Sequence, residues 1–129
     1  MDRQWYKEMC VYQVWPRSFK DGDGDGIGDL KGILSKLDYI KSLGADAIWF
    51  SPLYASPQAD YGYDIADYYN INPEYGTNEE FKEVLDGAHA RGMKVIMDLV
   101  INHTSDQHEW FKKPAAGDHK YKDYYIWRN

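Results

Sequence analysis

Cysteine is almost absent from this sequence: Cys10 is the only one in 129 residues. A single thiol cannot form an intramolecular disulfide, so nothing in the composition requires an oxidising compartment. The first ten residues, MDRQWYKEMC, hold no apolar stretch that could act as a secretory signal. No later run approaches the ~20 apolar residues of a membrane-spanning helix. These absences predict a cytoplasmic protein.

Positive charge is also scarce. The chain has 15 Lys and Arg against 21 Asp and Glu, a net charge of -6, and its pI is near 5.1. Nucleic acids and anionic membranes bind clustered cationic side chains, so neither is expected as the main partner. A small neutral ligand remains compatible with this charge. The length and the 43% hydrophobic content suit one domain, or part of one.

Aromatic residues, in contrast, are abundant: twelve Tyr, five Trp and four Phe. Many of them lie in loop-like stretches rather than in periodic apolar runs. Flat rings with a polar edge suit stacking on sugars, and they suit equally well the packing of long loops onto a scaffold. Composition alone favours the packing role.

Strand-like and helix-like segments alternate along the chain. The patterns predict strands at 11–15, 47–50 and 94–101, with helices between them at 30–43 and 77–92. This order specifies two right-handed βαβ crossovers and a parallel sheet. The stretch after residue 103 is aperiodic, and no fourth unit is predicted there.

Two helix starts and one long connection stand out. Asp29 is a candidate N-cap of the first helix, which Gly44 would end, and Thr77 with Glu80 has the spacing of a capping box. Residues 51–76 form a connection much longer than is usual between a strand and a helix. Loops of this length are usually functional or disordered, and the density of aromatic residues predicts that this one is ordered.

The run DGDGDGIGD at 21–29 places four aspartates in nine positions. In the EF-hand loop, oxygen ligands stand at positions 1, 3, 5, 7 and 9, with glycine at 6 and a bidentate Glu at 12. Counted from Asp21, the sequence matches every one of these positions except position 12, where Gly32 stands in place of the Glu. The predicted metal ligands are Asp21, Asp23, Asp25, the carbonyl of Ile27, and Asp29. They suit a structural Ca²⁺, or Mg²⁺ with water ligands; the alternative is a solvated Asp/Gly turn.

The run DLVINH at 98–103 places Asp98 inside an otherwise apolar strand. A buried carboxylate costs several kcal/mol unless it is paired or hydrogen-bonded, so Asp98 must have a partner or a function. A satisfied core residue is the simpler interpretation, with His103 as an ordinary loop histidine. In parallel α/β folds, however, ligand-facing loops leave the C-terminal ends of the strands. The acidic run, the Tyr/Pro/Asp loop and Asn102-His103 all follow strands, so they make one candidate site.

Three motifs in order carry a family resemblance: DGDGDGIGDLKGIL, QADYGYDIADYYNINPEYGT and GMKVIMDLVINHTSDQHEWF. Together they resemble the N-terminal part of the α-amylase-type glycoside hydrolases, in the oligo-1,6-glucosidase and α-glucosidase branch. The resemblance covers nearly the whole chain. It implies an α/β fold: a partial (β/α)₈ TIM barrel with its first three strands and two helices. Residues 1–103 would be barrel, and 104–129 the beginning of the domain inserted after strand three.

The resemblance also implies roles for individual residues. Asp60 and Tyr63 resemble the residues that hold the non-reducing glucose, by hydrogen bonds and by ring stacking, and His103 resembles the histidine that contacts the same sugar. Asp98 and Asn102 are interpreted as support for this site. The aspartates of the acidic loop resemble the metal ligands of the family, in agreement with their spacing.

The implied chemistry is retaining hydrolysis of short α-1,6- or α-1,4-linked glucosides, in which two carboxyl groups flank one bond about 5 Å apart. The nucleophile, the acid and a further aspartate follow later strands in the family, so no catalytic residue is assigned here. The isolated chain is predicted to be inactive. Its open sheet edges predict self-association. The alternative is a noncatalytic, cation-stabilised module for sugar binding or interaction.

Overall fold

The computed structural model describes residues 4–128 and has a parallel sheet at its centre, covered by helices. The sheet comprises the first, second and fifth strands of the chain. In chain order the elements are β1 (Val11–Val14), α1 (Pro16–Phe19), α2 (Leu30–Ser35), α3 (Leu37–Ser42), β2 (Ala47–Phe50), β3 (Tyr54–Ala55), β4 (Asp67–Ile71), α4 (Asn78–Ala90), β5 (Lys94–Met97) and α5 (Glu109–Ala115), with short 3₁₀ helices at Trp5–Lys7 and His119–Tyr124.

The predicted α/β fold with a parallel sheet is confirmed. Strand β2 lies between β1 and β5, and both pairings are parallel, with Ala47 opposite Val11 on one side and Lys94 on the other. Three strands do not close a barrel, and the open parallel sheet is what a partial (β/α)₈ barrel would show. The C-terminal ends of these strands share one edge.

The third sheet strand is shorter than predicted. β5 ends at Met97, opposite the last residue of β2, and not at residue 101. Asp98 therefore lies one residue beyond the strand and is only half-buried, which corrects its predicted place inside a strand. Leu99 and Ile101 are 62% and 85% exposed, because no further strand covers them among residues 4–128.

The helix predicted at 30–43 is two helices, α2 and α3, that meet at Lys36. The Ser35 hydroxyl donates to the carbonyl of Gly32 at 2.7 Å. That carbonyl is the one that the Lys36 amide would use in a continuous helix, and this amide bonds instead to Ile33 at 2.9 Å. The apolar spacing survives the break, because Ile33, Leu37 and Ile40 all remain buried.

Both predicted helix starts are confirmed. The Asp29 carboxylate accepts from the Gly32 amide at 2.6 Å at the start of α2. At the start of α4, the Thr77 hydroxyl accepts from the Glu80 amide at 3.1 Å, and the Glu80 carboxylate accepts from the Thr77 amide at 2.9 Å. This reciprocal pair is a complete capping box.

Two segments hold more structure than predicted. The connection 51–76 contains the antiparallel pair β3–β4 as well as ordered turns. The stretch after residue 103 contains α5 and a 3₁₀ helix, which the aperiodic sequence did not predict. Their aromatic side chains hold them together: the Phe111 and Trp127 rings stack at 5.3 Å. The division of the chain into two domains at residue 103 stays a prediction.

The core lies between the sheet and helices α2 to α4. It is formed by fully buried apolar side chains of both layers: Val14, Leu30, Ile33, Leu37, Ile40, Ile48, Phe50, Val84, Ala88 and Met93. Within the part of the chain that the structure describes, no helix has the length and apolar character needed to span a membrane.

Candidate functional site

Loops that follow β2 and β5 meet at the C-terminal edge of the sheet. The Tyr63 hydroxyl lies 3.4 Å from the Asp98 carboxylate, and Nε2 of His103 lies 3.1 Å from the Tyr63 carbonyl oxygen. A carbonyl can only accept, so Nε2 carries the proton and donates it. The Asn102 side-chain amide can then donate to Nδ1 of His103, at 3.1 Å. The structure thus brings Tyr63, Asp98, Asn102 and His103 together.

Tyr63 sits in an environment that keeps its phenol protonated. Partial burial and the negative charge of Asp98 both raise the pKa of the Tyr63 hydroxyl, and together they outweigh a hydrogen bond with Ser51. The ring therefore presents an apolar face with a proton-donating edge. This combination suits a sugar ring, which has an apolar face and a rim of hydroxyls.

Asp60 belongs to a tight turn next to Tyr63. Its carbonyl accepts from the Tyr63 amide at 2.9 Å, and its carboxylate is exposed. The φ angles of Gln58 (63°) and Tyr61 (55°) are positive, a conformation that costs non-glycine residues energy. The exposed Tyr61 ring meets Trp15 edge-on, with centroids 6.1 Å apart, at the end of β1.

Several supporting residues were not predicted from the sequence. The Tyr68 hydroxyl lies 2.6 Å from the Val100 carbonyl and 3.0 Å from the His103 carbonyl, so it fixes the loop that carries His103. The Asp64 carboxylate binds the turn that carries Asp60. Both residues lie in polar, aromatic-rich sequence, and no spacing singles them out. Composition gave the only available signal.

A cavity of about 320 Å³ opens beside His103. Its size is in the range of small-molecule sites. Aromatic rings and a few polar groups line it: Tyr68, Asn102, His103, Thr104, Trp110 and Tyr125 among others. This cavity can therefore offer hydrogen-bonding groups and ring faces to a small polyhydroxylated ligand, but Asp60, Tyr63 and Asp98 are not among its lining residues.

The acidic loop lies between β1 and α2. Asp21, Asp23 and Asp29 each place a carboxylate oxygen within 4.8 Å of the others. Backbone amides of Gly24 and Gly26 hold the pKa of Asp21 below its usual value, so this carboxylate is ionised at neutral pH. Three converging carboxylates are the ligands that hard divalent cations prefer.

The other two predicted metal ligands stand apart from this group. The Asp25 carboxylate accepts from the Ile27 amide at 2.7 Å and is not among the three that converge. The role of the Ile27 carbonyl as a ligand stays a prediction. Asp29 also makes three structural contacts: its carboxylate caps α2 by accepting from the Gly32 amide, and it accepts from the amides of Gly22 and Asp23 at 3.0 and 3.1 Å.

Comparison with known proteins gives concordant matches. The family model "Alpha amylase, catalytic domain" matches residues 13–129. The oligo-1,6-glucosidase of Bacillus cereus is 60% identical over 99% of this chain, which covers 23% of that protein.

Solved structures agree in fold and in sequence. The trehalulose synthase of Pseudomonas mesoacidophila superposes on the whole chain with a TM-score of 0.96 and 55% identity, over 23% of its own length. The trehalose-6-phosphate hydrolase of Bacillus licheniformis matches 98% of this chain at a TM-score of 0.94 and 57% identity, again over 23% of its length. The chain thus spans about a quarter of the relatives that it matches.

Proposed function

Because the chain belongs to the α-amylase catalytic-domain family, we propose that it forms the N-terminal part of the catalytic barrel of a retaining α-glucosidase. The substrates are short α-1,6- or α-1,4-linked glucosides. The observation that carries this proposal is the cluster at the C-terminal edge of the sheet, where Tyr63 contacts both Asp98 and His103. The name of a 60% identical relative, oligo-1,6-glucosidase, supports the substrate class.

Asp60 and each residue of the cluster have a role in this proposal. Asp60 accepts hydrogen bonds from glucose hydroxyls, since its carboxylate is exposed at the tip of the turn. Tyr63 stacks on the sugar ring, and His103 contacts the same sugar. Asp98 and Asn102 support the site by their contacts to Tyr63 and His103.

The nucleophile and the general acid are supplied from outside these 129 residues. Retaining hydrolysis needs two carboxyl groups on either side of one glycosidic bond, about 5 Å apart. We assign neither role to Asp60 or Asp98. The chain on its own is therefore expected to hydrolyse no α-glucoside. A cytoplasmic location remains a prediction of the sequence.

The acidic loop holds a structural cation in this proposal, Ca²⁺ or alternatively Mg²⁺. Asp21, Asp23 and Asp29 converge and would hold it, and Asp25 and the Ile27 carbonyl are predicted to complete the ligand set. A bound cation would offset the mutual repulsion of these carboxylates. Since Asp29 also caps α2, the ion would fix the junction between the loop and that helix.

A chimera tests the proposed function. This chain replaces the aligned segment of the Bacillus cereus oligo-1,6-glucosidase, to which it is 60% identical. We expect the chimera to hydrolyse an α-1,6-linked glucose disaccharide. Replacing Asp60 with Ala should lower kcat/KM about 10- to 100-fold, the value of a hydrogen bond to a charged group.

The control is Asp123→Ala, which removes an exposed aspartate outside the site. Its kcat/KM should match that of the parent chimera. A folded chimera without activity, or an Asp60→Ala variant with full activity, would contradict the proposal. Turnover of an aryl α-glucoside by the isolated chain would instead place catalysis within these 129 residues. If the chain binds sugar but neither the isolated chain nor the chimera shows turnover, a noncatalytic module would be favoured.

A further inference from the structure

We propose that Asp64 is a positioning residue for the sugar-binding turn, residues 58–63, and acts through Asp60 rather than on the sugar. This inference rests on the function proposed above. Asp64 follows the turn directly and is half-buried beneath it. The resemblance on which the site assignments depend gives Asp64 no role, and the inference comes from its contacts alone.

Both carboxylate oxygens of Asp64 bind the turn or its approach. Oδ1 accepts from the Asp60 amide at 2.9 Å and from the Ser56 hydroxyl at 3.0 Å. Oδ2 accepts from the Ala59 amide at 2.9 Å. One side chain thus fixes two consecutive amides, one of which belongs to Asp60 itself.

The turn needs such a restraint because its backbone is strained. Gln58 and Tyr61, on either side of Ala59 and Asp60, have φ angles of 63° and 55°. Left-handed conformations cost non-glycine residues on the order of 1 kcal/mol each, and they persist only where the surroundings enforce them. Hydrogen bonds to a charged group are among the stronger contacts available for this purpose.

The turn is also held at its first residue, Gln58, by a contact to the core. The Gln58 side-chain amide donates to the Tyr75 hydroxyl at 3.1 Å, and Tyr75 is 2% exposed in the core. Asp64 therefore closes a turn whose first residue is already anchored. Without Asp64, the orientation of the Asp60 carboxylate toward the ligand would no longer be fixed.

Asp64 is ionised under the conditions in which it would act. Partial burial tends to raise the pKa of its carboxyl, but the amides of Asp60 and Ala59 and the Ser56 hydroxyl outweigh this effect. The net result is a pKa below the usual aspartate value. The acceptor therefore remains charged throughout the neutral range.

The test uses the same chimera with Asp64→Ala and Asp64→Asn. We expect Asp64→Ala to lower kcat/KM by up to about 10²-fold, the cost of a small misplacement of a substrate-contacting group, and by no more than Asp60→Ala does, because Asp64 acts through Asp60. Asp64→Asn keeps one acceptor oxygen and loses the other, so it should lie between the parent and Asp64→Ala. In Asp64→Ala the amides of Ala59 and Asp60 should both exchange hydrogen faster, and in Asp64→Asn the amide that loses its acceptor should do so, even where the melting temperature is unchanged.

A double-mutant cycle separates positioning from general stability. If Asp64 acts through Asp60, then Asp64→Ala should cost far less in the Asp60→Ala background than in the parent. Asp67→Asn is the matched control, because the Asp67 carboxylate accepts from the amide of Tyr69 and from the side chain of Asn70, and both lie outside the turn at residues 58–63. It should leave kcat/KM unchanged.

The outcomes distinguish this inference from the function on which it rests. An inactive chimera, or one indifferent to Asp60→Ala, overturns the proposed function and the inference with it. An active chimera that depends on Asp60 but tolerates Asp64→Ala overturns the inference alone. Additive effects of Asp60→Ala and Asp64→Ala would also overturn it, since independent losses add.

Discussion

His108 caps the N-terminus of α5 through one ring nitrogen. Its side chain is 5% exposed, and Nδ1 accepts from the Trp110 amide at 3.0 Å where α5 begins. The Trp110 ring lies against it with centroids 4.2 Å apart. Burial lowers the pKa of His108, and this effect outweighs the opposite influence of Asp67 and Glu109. The neutral ring is therefore the form that caps α5.

We predict that acid selectively loosens α5. Because the folded pKa is lowered, the stabilisation by His108 is complete above its unfolded pKa of about 6.5 and is lost as pH falls through the folded value. Amide exchange in α5, taken relative to the intrinsic rate of an unprotected amide at each pH, should accelerate as pH falls from about 6.5 through the folded value. His108→Asn keeps a capping acceptor that does not titrate in this window, so it should suppress the acceleration. The exposed His89→Asn should not, and equal acceleration in all three proteins would refute the prediction.

At the scale of elements, the sequence predicted the faces of the helices better than their continuity. Of the apolar residues that recur at helical spacing, Ile33, Leu37 and Ile40 are buried, whereas Leu43 is 52% exposed. Periodicity could not show that α2 ends at Ser35, whose hydroxyl donates to the Gly32 carbonyl, because that contact depends on a rotamer. Similarly, the apolar residues beyond Met97 extend the strand-like sequence pattern, but β5 ends at Met97 because its partner strand β2 ends opposite it.

The candidate site was likewise predictable only in part. Tyr63 and His103 were predicted to lie close together because they follow strands of one parallel sheet, and the distance agrees. Asp98 was predicted inside a strand, but it follows the strand and contacts Tyr63. The contacts of Asp64 and Tyr68 were not predictable, since they depend on how a long loop folds back on itself. The aperiodic segment with α5 is held by ring contacts, which leave no periodic signal in a sequence.

The acidic loop and helix α2 should respond together to a divalent cation. Adding Ca²⁺ to the chelator-treated chain should raise its melting temperature, by the equivalent of about 2.7 kcal/mol at one hundred times Kd. Asp23→Ala should abolish this response, because Asp23 is one of three converging carboxylates. Asp86→Ala, on the exposed face of α4, is the control. An Asp23→Ala variant with unchanged melting and an unchanged response to chelator would argue against the site.

At the scale of the whole molecule, the sheet presents a free edge at β5. The amides of Lys94 and Asp98 bond toward β2, at 2.9 Å to Asp46 and 3.2 Å to Phe50. Hydrogen bonds alternate along a parallel strand, so the amides of Val95 and Met97 point away from the sheet. Within residues 4–128 no strand pairs with this side. Such an edge, flanked by exposed apolar side chains, is a template for pairing with another chain.

We therefore predict that the isolated chain self-associates, and that sedimentation velocity shows a rise in mean mass with concentration. Leu99→Lys with Ile101→Lys should weaken association at least about tenfold, since burying each such side chain is worth about 1.5–3 kcal/mol. Both side chains are exposed, at 62% and 85%, so these changes leave the core intact. The matched control is Leu43→Lys, which adds a cation at a leucine that is 52% exposed on the helical side. A monomer at every concentration, or an equal effect of Leu43→Lys, would show that the β5 edge does not drive association.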